Sequence, residues 1–225
     1  MVEWSGAKPN CSRMTDREQI LDWIAEGEHE QQDFKFAIND ARKIALSLCS
    51  FANTEGGKLL VGVKDNGVIC GVRSDEEIHM IDTAADLFTE PPVSYTTHIW
   101  EVDGKVVVEV RIPRSAADYH QVRMKDGSSV ALVRYRDENR KASPVHLDLW
   151  KNRTDTRKPQ SIAYSDLERQ VLAYIKSHPQ STLNQIQKSL KYPRRKLISF
   201  LAQMVRWKVL RMVVANDQFA FELIP

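Results

Sequence analysis

Apolar and polar positions near the start of the chain follow first a helical and then a strand pattern. Thr15 and Glu18 form a capping box ahead of an apolar stretch, which predicts a helix that ends at Gly27. Residues 33–36 then alternate strictly between polar and apolar side chains. This alternation predicts a strand whose two phenylalanines point inward, with the aspartate and the lysine on the opposite face.

The middle of the chain continues this mixture of patterns, divided by turn residues. Hairpin turns are predicted at residues 65–67, 102–104 and 125–127, each of which contains an aspartate and ends in a glycine. The predicted elements are a helix capped by Asp40, strands 58–63 and 68–72, a helix over 74–88, strands 95–101 and 105–112, two strands within 119–136 and a helix over 143–150. Their order predicts a mixed α+β fold with a mostly antiparallel sheet.

The C-terminal part of the chain has a different organisation. The polar stretch 151–163, which contains Pro159, predicts a linker between a first domain over 14–150 and a second over 164–225. The second domain shows helical patterns over 165–177, 182–190 and 193–207, followed by strand patterns over 210–214 and 218–223. Three helices and a hairpin in this order predict a winged helix-turn-helix.

Charge is distributed unevenly between these two parts. The whole chain has a formal net charge of +2, but residues 161–225 carry ten Lys or Arg against four Asp or Glu. Residues 191–211 contain seven basic residues and no acidic one. Such asymmetry indicates that the C-terminal part binds a polyanion.

The beginning of the third C-terminal helix carries the candidate nucleic-acid contacts. In a helix-turn-helix this end of the recognition helix meets the DNA groove, where basic side chains contact phosphates or guanine edges. The candidates are Lys191, Arg194, Arg195 and Lys196. The alternative is a solvated basic face on a module that binds protein.

Composition excludes several classes of protein. The apolar runs are far shorter than a membrane span, and residues 1–13 lack the apolar core of a signal peptide, so we expect a cytoplasmic protein without a membrane partner. Cys11, Cys49 and Cys70 are odd in number and have no CxxC spacing, which argues against a complete disulfide framework and a cysteine zinc site. Cys49 lies in an apolar helical stretch and is expected to be a small buried side chain.

An acidic cluster in the first domain is the candidate catalytic site. The cluster consists of Glu28, Glu30, Asp33 and Lys35, with Asp65 further on, and converging carboxylates can hold a divalent ion, such as Mg²⁺ or Mn²⁺, that activates water. Lys35, two residues after Asp33 on the same strand face, can neutralise charge that develops on a phosphate. The alternative is a solvated strand edge with ordinary surface ion pairs, which implies no cofactor.

A glycine-containing loop before residue 58 is a candidate phosphate or nucleotide site. Asn53, Thr54, Gly56 and Gly57 form this loop, and successive glycines let backbone amides approach a phosphate. The loop lacks the Lys-Ser/Thr ending of a P-loop, so nucleotide binding by that mechanism is not supported. The alternative is a tight helix-to-strand connection that needs positive φ angles.

Three strings in the first domain resemble a known family. EHEQQDFK, SFANTEGGKLLVGVKDNGVICGV and VRYRDENRKASP resemble the Schlafen/Alba-like DNA-binding domain of bacterial regulators, over roughly residues 14–150. Schlafen relatives that cut RNA use three acidic residues, which the resemblance places at Glu28, Asp33 and Asp65. The resemblance thus implies that these three carboxylates are the candidate ligands for Mg²⁺ or Mn²⁺. Asp33 stands where the family has glutamate, and a carboxylate displaced by about 1 Å can be costly in catalysis. A single lobe also implies a homodimer if a two-lobed groove is to form.

The function that these observations favour is a DNA-binding transcriptional regulator. The alternatives are a metal-dependent endoribonuclease that uses the acidic cluster, and a nucleotide sensor that uses the glycine loop. The expected partners are DNA, with RNA as the alternative nucleic acid, and a second copy of the chain.

Overall fold

The computed structural model describes residues 15–116, 119–152 and 165–225. Cys11 and most of the predicted linker, residues 153–163, lie outside the described residues. The chain divides into two compact units. The first holds the described residues up to Ser115 with His120–Ser129 and Val133–Arg140, and the second holds the other described residues.

Helices and short strands alternate along the first unit. In chain order they are α1 (Asp16–Glu26), β1 (Gln32–Lys35), α2 (Ala41–Asn53), β2 (Gly57–Val61), α3 (Asp75–Leu87), β3 (Thr89–Glu90), β4 (Thr96–Val102), β5 (Lys105–Ile112) and β6 (Gln121–Arg123). Three short strands follow, whose residues are divided between the two units: β7 (Ser129–Val130), β8 (Leu132–Tyr135) and β9 (Glu138–Lys141). The mixed α+β fold class is therefore confirmed.

Side-chain caps begin the first two helices where the sequence predicts them. Thr15 forms a capping box with Glu18, and α1 ends at Gly27, whose φ angle of 74° is readily adopted only by glycine. Asp40 accepts a hydrogen bond from the Arg42 amide at 2.9 Å and begins α2. These caps satisfy amides that the helix itself leaves unpaired.

The core of the first unit lies on both faces of a four-stranded sheet ordered β1-β2-β5-β4. Strands β1 and β2 are parallel, whereas β5 runs antiparallel to both β2 and β4. On one face, Phe34 lies opposite Leu60 and packs in one cluster with Ile20 of α1. On the other, Leu59 and Val61 are buried, and α2 contacts β2 and β5.

This two-sided burial corrects two predictions about β1. Asp33 does not face solvent, since it is only 4% exposed, and Phe36 is not an inward side chain, since it is 36% exposed. A strand in parallel pairing has both faces covered, so alternation along it does not separate core from solvent. The strand ends at Lys35, which leaves Phe36 outside the sheet.

The predicted strand over residues 68–72 does not form. Only an isolated bridge pairs Val63 with Ile69. Gly62 and Gly71 have φ angles of 95° and 80°, and the amides of Cys70 and Gly71 both donate to the Gly62 carbonyl. These left-handed turns bend the segment out of extended geometry. The sequence also did not predict the short strands β3 and β9.

Four helices and a three-stranded sheet make up most of the second unit. Its elements are α4 (Pro144–Lys151), α5 (Asp166–Ser177), β10 (Ser181–Thr182), α6 (Leu183–Leu190), α7 (Arg194–Arg206), β11 (Leu210–Ala215) and β12 (Gln218–Leu223). The sheet order is β10-β12-β11, antiparallel throughout. Asn216 and Asp217 both have positive φ angles, as a two-residue type I′ turn between β11 and β12 requires. The apolar core includes Ile186, Leu197 and Phe221.

None of the helices in the described residues is long and apolar enough to cross a membrane.

His146 in α4 should make the stability of the second unit depend on pH. Its Nδ1 accepts a hydrogen bond from the Ser143 amide at 3.1 Å, and its ring contacts Phe219 with centroids 4.5 Å apart. Burial lowers the pKa of His146 to about 4. The unfolded chain takes up this proton near pH 6.5, so the stability that neutral His146 contributes is present above about pH 6.5 and is lost as the pH falls.

We therefore expect the free energy of unfolding to fall by about 2–3 kcal/mol between pH 7 and pH 4 because of this residue. Denaturant titration of the wild type and of His146→Gln across this range measures it. The glutamine keeps a hydrogen-bond acceptor but does not titrate. An equal pH dependence in both proteins would contradict the assignment to His146.

Candidate functional site

Glu28 and Asp33, the first two predicted carboxylates, lie beside one another at β1. Glu28 Oε1 accepts a hydrogen bond from the Phe34 amide at 2.8 Å, which holds the carboxyl against the strand. Partial burial raises the pKa of Glu28, and the adjacent Asp33 raises it further. Two carboxyls this close favour a shared proton or a neighbouring cation.

Cations of the protein itself neutralise Asp33. Arg134 Nη2 lies 3.1 Å from Asp33 Oδ1, and Lys35 Nζ is in contact with Oδ2. The side chains of Arg134 and Asp33 are only 1% and 6% exposed. The carboxylate therefore has a buried ionic partner that holds it in place.

Arg134 also joins segments that are distant along the chain. Its guanidinium donates to the Gln32 carbonyl at 3.3 Å and to Asn139 Oδ1 at 3.0 Å, and its amide donates to Thr54 Oγ1 at 3.0 Å. The planar head group thus connects β1 with β9, while its backbone holds the loop after α2. Sequence reasoning did not select this arginine, although it contacts three separate segments of the first unit. The only sequence feature that pointed to a role for Arg134 was its position as a basic residue between the apolar side chains of Val133 and Tyr135.

Asp65 does not join the two other carboxylates. It is exposed in the turn after β2, where the Gly67 amide donates to the Lys64 carbonyl at 2.7 Å. Nowhere in residues 15–116, 119–152 and 165–225 do three His, Cys, Asp or Glu side chains form a group that could hold a metal ion. The expected convergence on Mg²⁺ or Mn²⁺ is not what the geometry shows, because β2 ends at Val61 and the chain bends at Gly62.

The polar groups of the glycine loop are used inside the fold. Asn53 is buried, and its side chain donates to the His120 carbonyl at 2.9 Å and accepts from the His120 amide at 2.7 Å. Thr54 Oγ1 donates to the Ser50 carbonyl at 2.7 Å. The amides of Thr54 and Gly56 both donate to the Phe51 carbonyl.

Steric constraint explains both glycines of this loop. A Cβ on Gly56, at φ 75°, would lie 2.8 Å from the Ile112 carbonyl oxygen. A Cβ on Gly57 would lie 2.4 Å from the Phe51 ring. The loop is a tight connection between α2 and β2, which favours the structural alternative over a phosphate cradle.

The basic residues around the start of α7 differ in how they are held. Lys191 ends α6 in the left-handed conformation at φ 48°, and Pro193 precedes α7. Arg194 Nη1 donates to Asn184 Oδ1 at 2.9 Å and to Gln187 Oε1 at 2.7 Å, so it is tied to α6. Arg195 and Lys196 are exposed.

The accessible part of α7 is its first turn. Leu197, Phe200 and Leu201 are buried in the core of the second unit. Ser199 donates to Asp148 Oδ1 of α4 at 3.4 Å, and α4 contacts α7. A ligand of this helix would therefore meet Arg195 and Lys196 first.

Residues 28–143 match the model of the family described as Schlafen, AlbA_2, and the chain belongs to that family. No curated protein matches the chain.

Two solved structures show distant likeness. The DIP2311 protein of Corynebacterium diphtheriae is 15% identical with a TM-score of 0.44, over 91% of this chain and 44% of that one. The N-terminal domain of a RecG-related protein from Nitrosomonas europaea is 17% identical with a TM-score of 0.37, over 68% of this chain and 97% of that one. This chain thus spans less than half of the Corynebacterium protein, and neither likeness bears on function.

Removing either partner of the Asp33–Arg134 pair should destabilise the first unit strongly. Asp33→Asn leaves the buried Arg134 guanidinium without an anionic partner, and Arg134→Met leaves the buried Asp33 with only the partly exposed Lys35. Each change should cost about 3–5 kcal/mol. The double variant should lose much less than the sum of the two single variants. Urea unfolding followed by circular dichroism measures each value.

Arg114→Met is the matched control, because Arg114 forms an ion pair of similar length, 3.0 Å, with Glu55 on the surface. Its loss should cost less than about 1 kcal/mol. If Arg134→Met costs no more than this control, the buried pair does not hold the first unit together.

Proposed function

We propose that this protein binds nucleic acid, and that its second unit binds duplex DNA as part of a transcriptional regulator. The observation that carries the proposal is the exposed pair Arg195 and Lys196 on the first turn of α7, directly after α6. Membership of the Schlafen, AlbA_2 family supports nucleic-acid binding in general.

The arrangement of the second unit supports a winged helix-turn-helix. Helix α6 and helix α7 are separated by three residues, and the left-handed Lys191 with the buried Tyr192 forms the turn between them. The hairpin of β11 and β12 follows α7, as a wing does in this class of DNA-binding domain. In such a domain α7 is the recognition helix, and its amino-terminal residues meet the major groove.

The charges of this surface fit a phosphate backbone. Arg195 and Lys196 have no ion-pair partner among the residues that the structure describes, so binding DNA does not first require an internal salt bridge to break. Each phosphate that a cation neutralises releases counterions, which drives association at low salt. Arg194, held by Asn184 and Gln187, is positioned to contact the backbone without losing further conformational freedom.

The endoribonuclease alternative receives less support from the geometry. Only two of the three carboxylates are adjacent, and Asp33 is already paired with Arg134 and Lys35. The nucleotide-sensor alternative is likewise weakened, because Asn53 and Thr54 are hydrogen-bonded within the fold. We therefore propose neither.

Replacement of Arg195 and Lys196 by alanine should weaken duplex binding and its salt dependence. The slope of log K against log salt concentration should become less steep by up to about 2, since two phosphate contacts are lost. Fluorescence anisotropy with a labelled duplex, over a series of salt concentrations, measures both quantities.

The matched control removes Arg169 and Lys176, which are exposed cations on α5 of the same unit. This control variant has the same net charge as the variant at Arg195 and Lys196 but keeps the first turn of α7. Its salt slope should therefore remain near that of the wild type. Equal losses in the two double variants would show that binding depends on overall charge, and would remove α7 as the recognition helix.

Paired half-sites are usual for winged-helix regulators, and we expect two copies of the chain on one operator. Multi-angle light scattering should therefore give the mass of a dimer, alone or with a duplex that carries an inverted repeat. A monomer mass under both conditions would contradict this expectation.

A further inference from the structure

We propose a second nucleic-acid site, in the first unit, at which a single strand stacks a base on Phe36 and places its phosphates on Lys64 and Arg73. These three residues are called the Phe36 cluster. The proposal rests on the proposed nucleic-acid binding, but it concerns a different surface from α7 and an unpaired rather than a duplex ligand.

The cluster combines an exposed aromatic ring with two cations. Lys64 Nζ lies 5.2 Å and Arg73 Cζ 4.9 Å from the centroid of the Phe36 ring, and the ring residue is 36% exposed. Both cationic side chains are exposed, and neither forms an ion pair with a described carboxylate. Two uncompensated positive charges held at one aromatic ring favour a ligand that has both negative charge and a flat apolar surface.

A buried carboxylate fixes two of the three residues relative to each other. Glu77 of α3 is only 7% exposed, and its two oxygens accept hydrogen bonds from the Ile38 amide at 2.9 Å and the Arg73 amide at 3.0 Å. It therefore joins the segment that follows Phe36 to the segment that carries Arg73. Bonds from amides to a buried carboxylate are among the stronger hydrogen bonds of a fold.

Lys64 is held in place by backbone hydrogen bonds. The Gly62 amide donates to the Lys35 carbonyl at 2.8 Å, which attaches the segment after β2 to the residue before Phe36. The Lys64 amide donates to the Val68 carbonyl at 3.0 Å and closes the turn. Val68 is itself 49% exposed, which adds apolar surface to this turn. The backbone beneath the cluster is thus preorganised, and only the side chains must adjust to a ligand.

Single-stranded nucleic acid fits this surface better than other polyanions. An unpaired base offers the π-face that a ring such as Phe36 can stack on, whereas the bases of a duplex are already stacked on each other. The neighbouring phosphates lie on either side of the base, within reach of flexible lysine and arginine side chains. An acidic peptide would use the two cations but would gain nothing from the ring.

The test uses the full chain with Arg195 and Lys196 replaced by alanine, so that binding at α7 does not mask the second site. A labelled mixed-sequence single strand, of DNA and of RNA, is titrated by fluorescence anisotropy. Phe36→Leu keeps an apolar side chain but removes the ring, and should weaken binding about tenfold. Phe36→Trp should bind at least as tightly as the parent.

The contribution of the cations is measured separately. Lys64→Ala with Arg73→Ala should make the salt slope for the single strand less steep by about 1.4. The matched control replaces Lys43 and Lys125, two exposed cations elsewhere in the first unit, and should leave the slope unchanged. Circular dichroism melting of each variant verifies that the fold is retained.

The proposal would be overturned if Phe36→Leu bound the single strand as tightly as its parent does. It would also be overturned if the variant at Lys64 and Arg73 had the same salt slope as the control variant at Lys43 and Lys125. Displacement of the labelled strand by poly-glutamate as readily as by unlabelled strand would be a third contradiction. Absence of single-strand binding by the parent would overturn it as well. Duplex binding of the otherwise wild-type chain is measured in parallel, so a failure at the Phe36 cluster is distinguishable from a failure at α7.

Discussion

The buried ionic pair between Arg134 and Asp33 is the long-range contact that connects β1 with the last strands of the first unit. It joins residues 101 positions apart, and the same guanidinium reaches the Gln32 carbonyl and Asn139. Because both side chains are almost fully buried, Arg134 without Asp33 would be an uncompensated charge in the interior, and Asp33 without Arg134 would keep only Lys35. This long-range pair connects Asp33 with β9 through the Arg134 guanidinium, while pairing with β2 positions β1, and the Phe34 amide orients the Glu28 carboxyl.

The same pair changes the chemistry of the acidic site. A carboxylate that already has an arginine and a lysine has less charge to offer a metal ion, and Asp65 lies apart in an exposed turn. Glu28 is the carboxyl of this site whose pKa is shifted, since burial and the adjacent Asp33 both raise it. In this chain Glu28 and Asp33 make their contacts with β1 and its neighbours within the fold.

In both units, some exposed cations lack an ionic partner among the described residues, unlike the buried and paired Asp33. Lys64 and Arg73 lie at an exposed ring, and Arg195 and Lys196 lie on the first turn of a helix, in each case without a described ionic partner. Each group is held by polar contacts of its neighbours: Glu77 accepts the Arg73 amide, and Asn184 holds the adjacent Arg194. Preorganised, uncompensated positive charge is what a nucleic-acid ligand requires.

Local interactions determined most of the helices and hairpins from sequence alone. The caps at Thr15 and Asp40 depend on residues within three positions, and the β4–β5 turn depends on Asp103 and Gly104, so the sequence could predict them. Only the tertiary structure decided whether individual side chains are buried or exposed. Asp33 is buried because Arg134 arrives from far along the chain, and alternation over four residues contains no information about that partner.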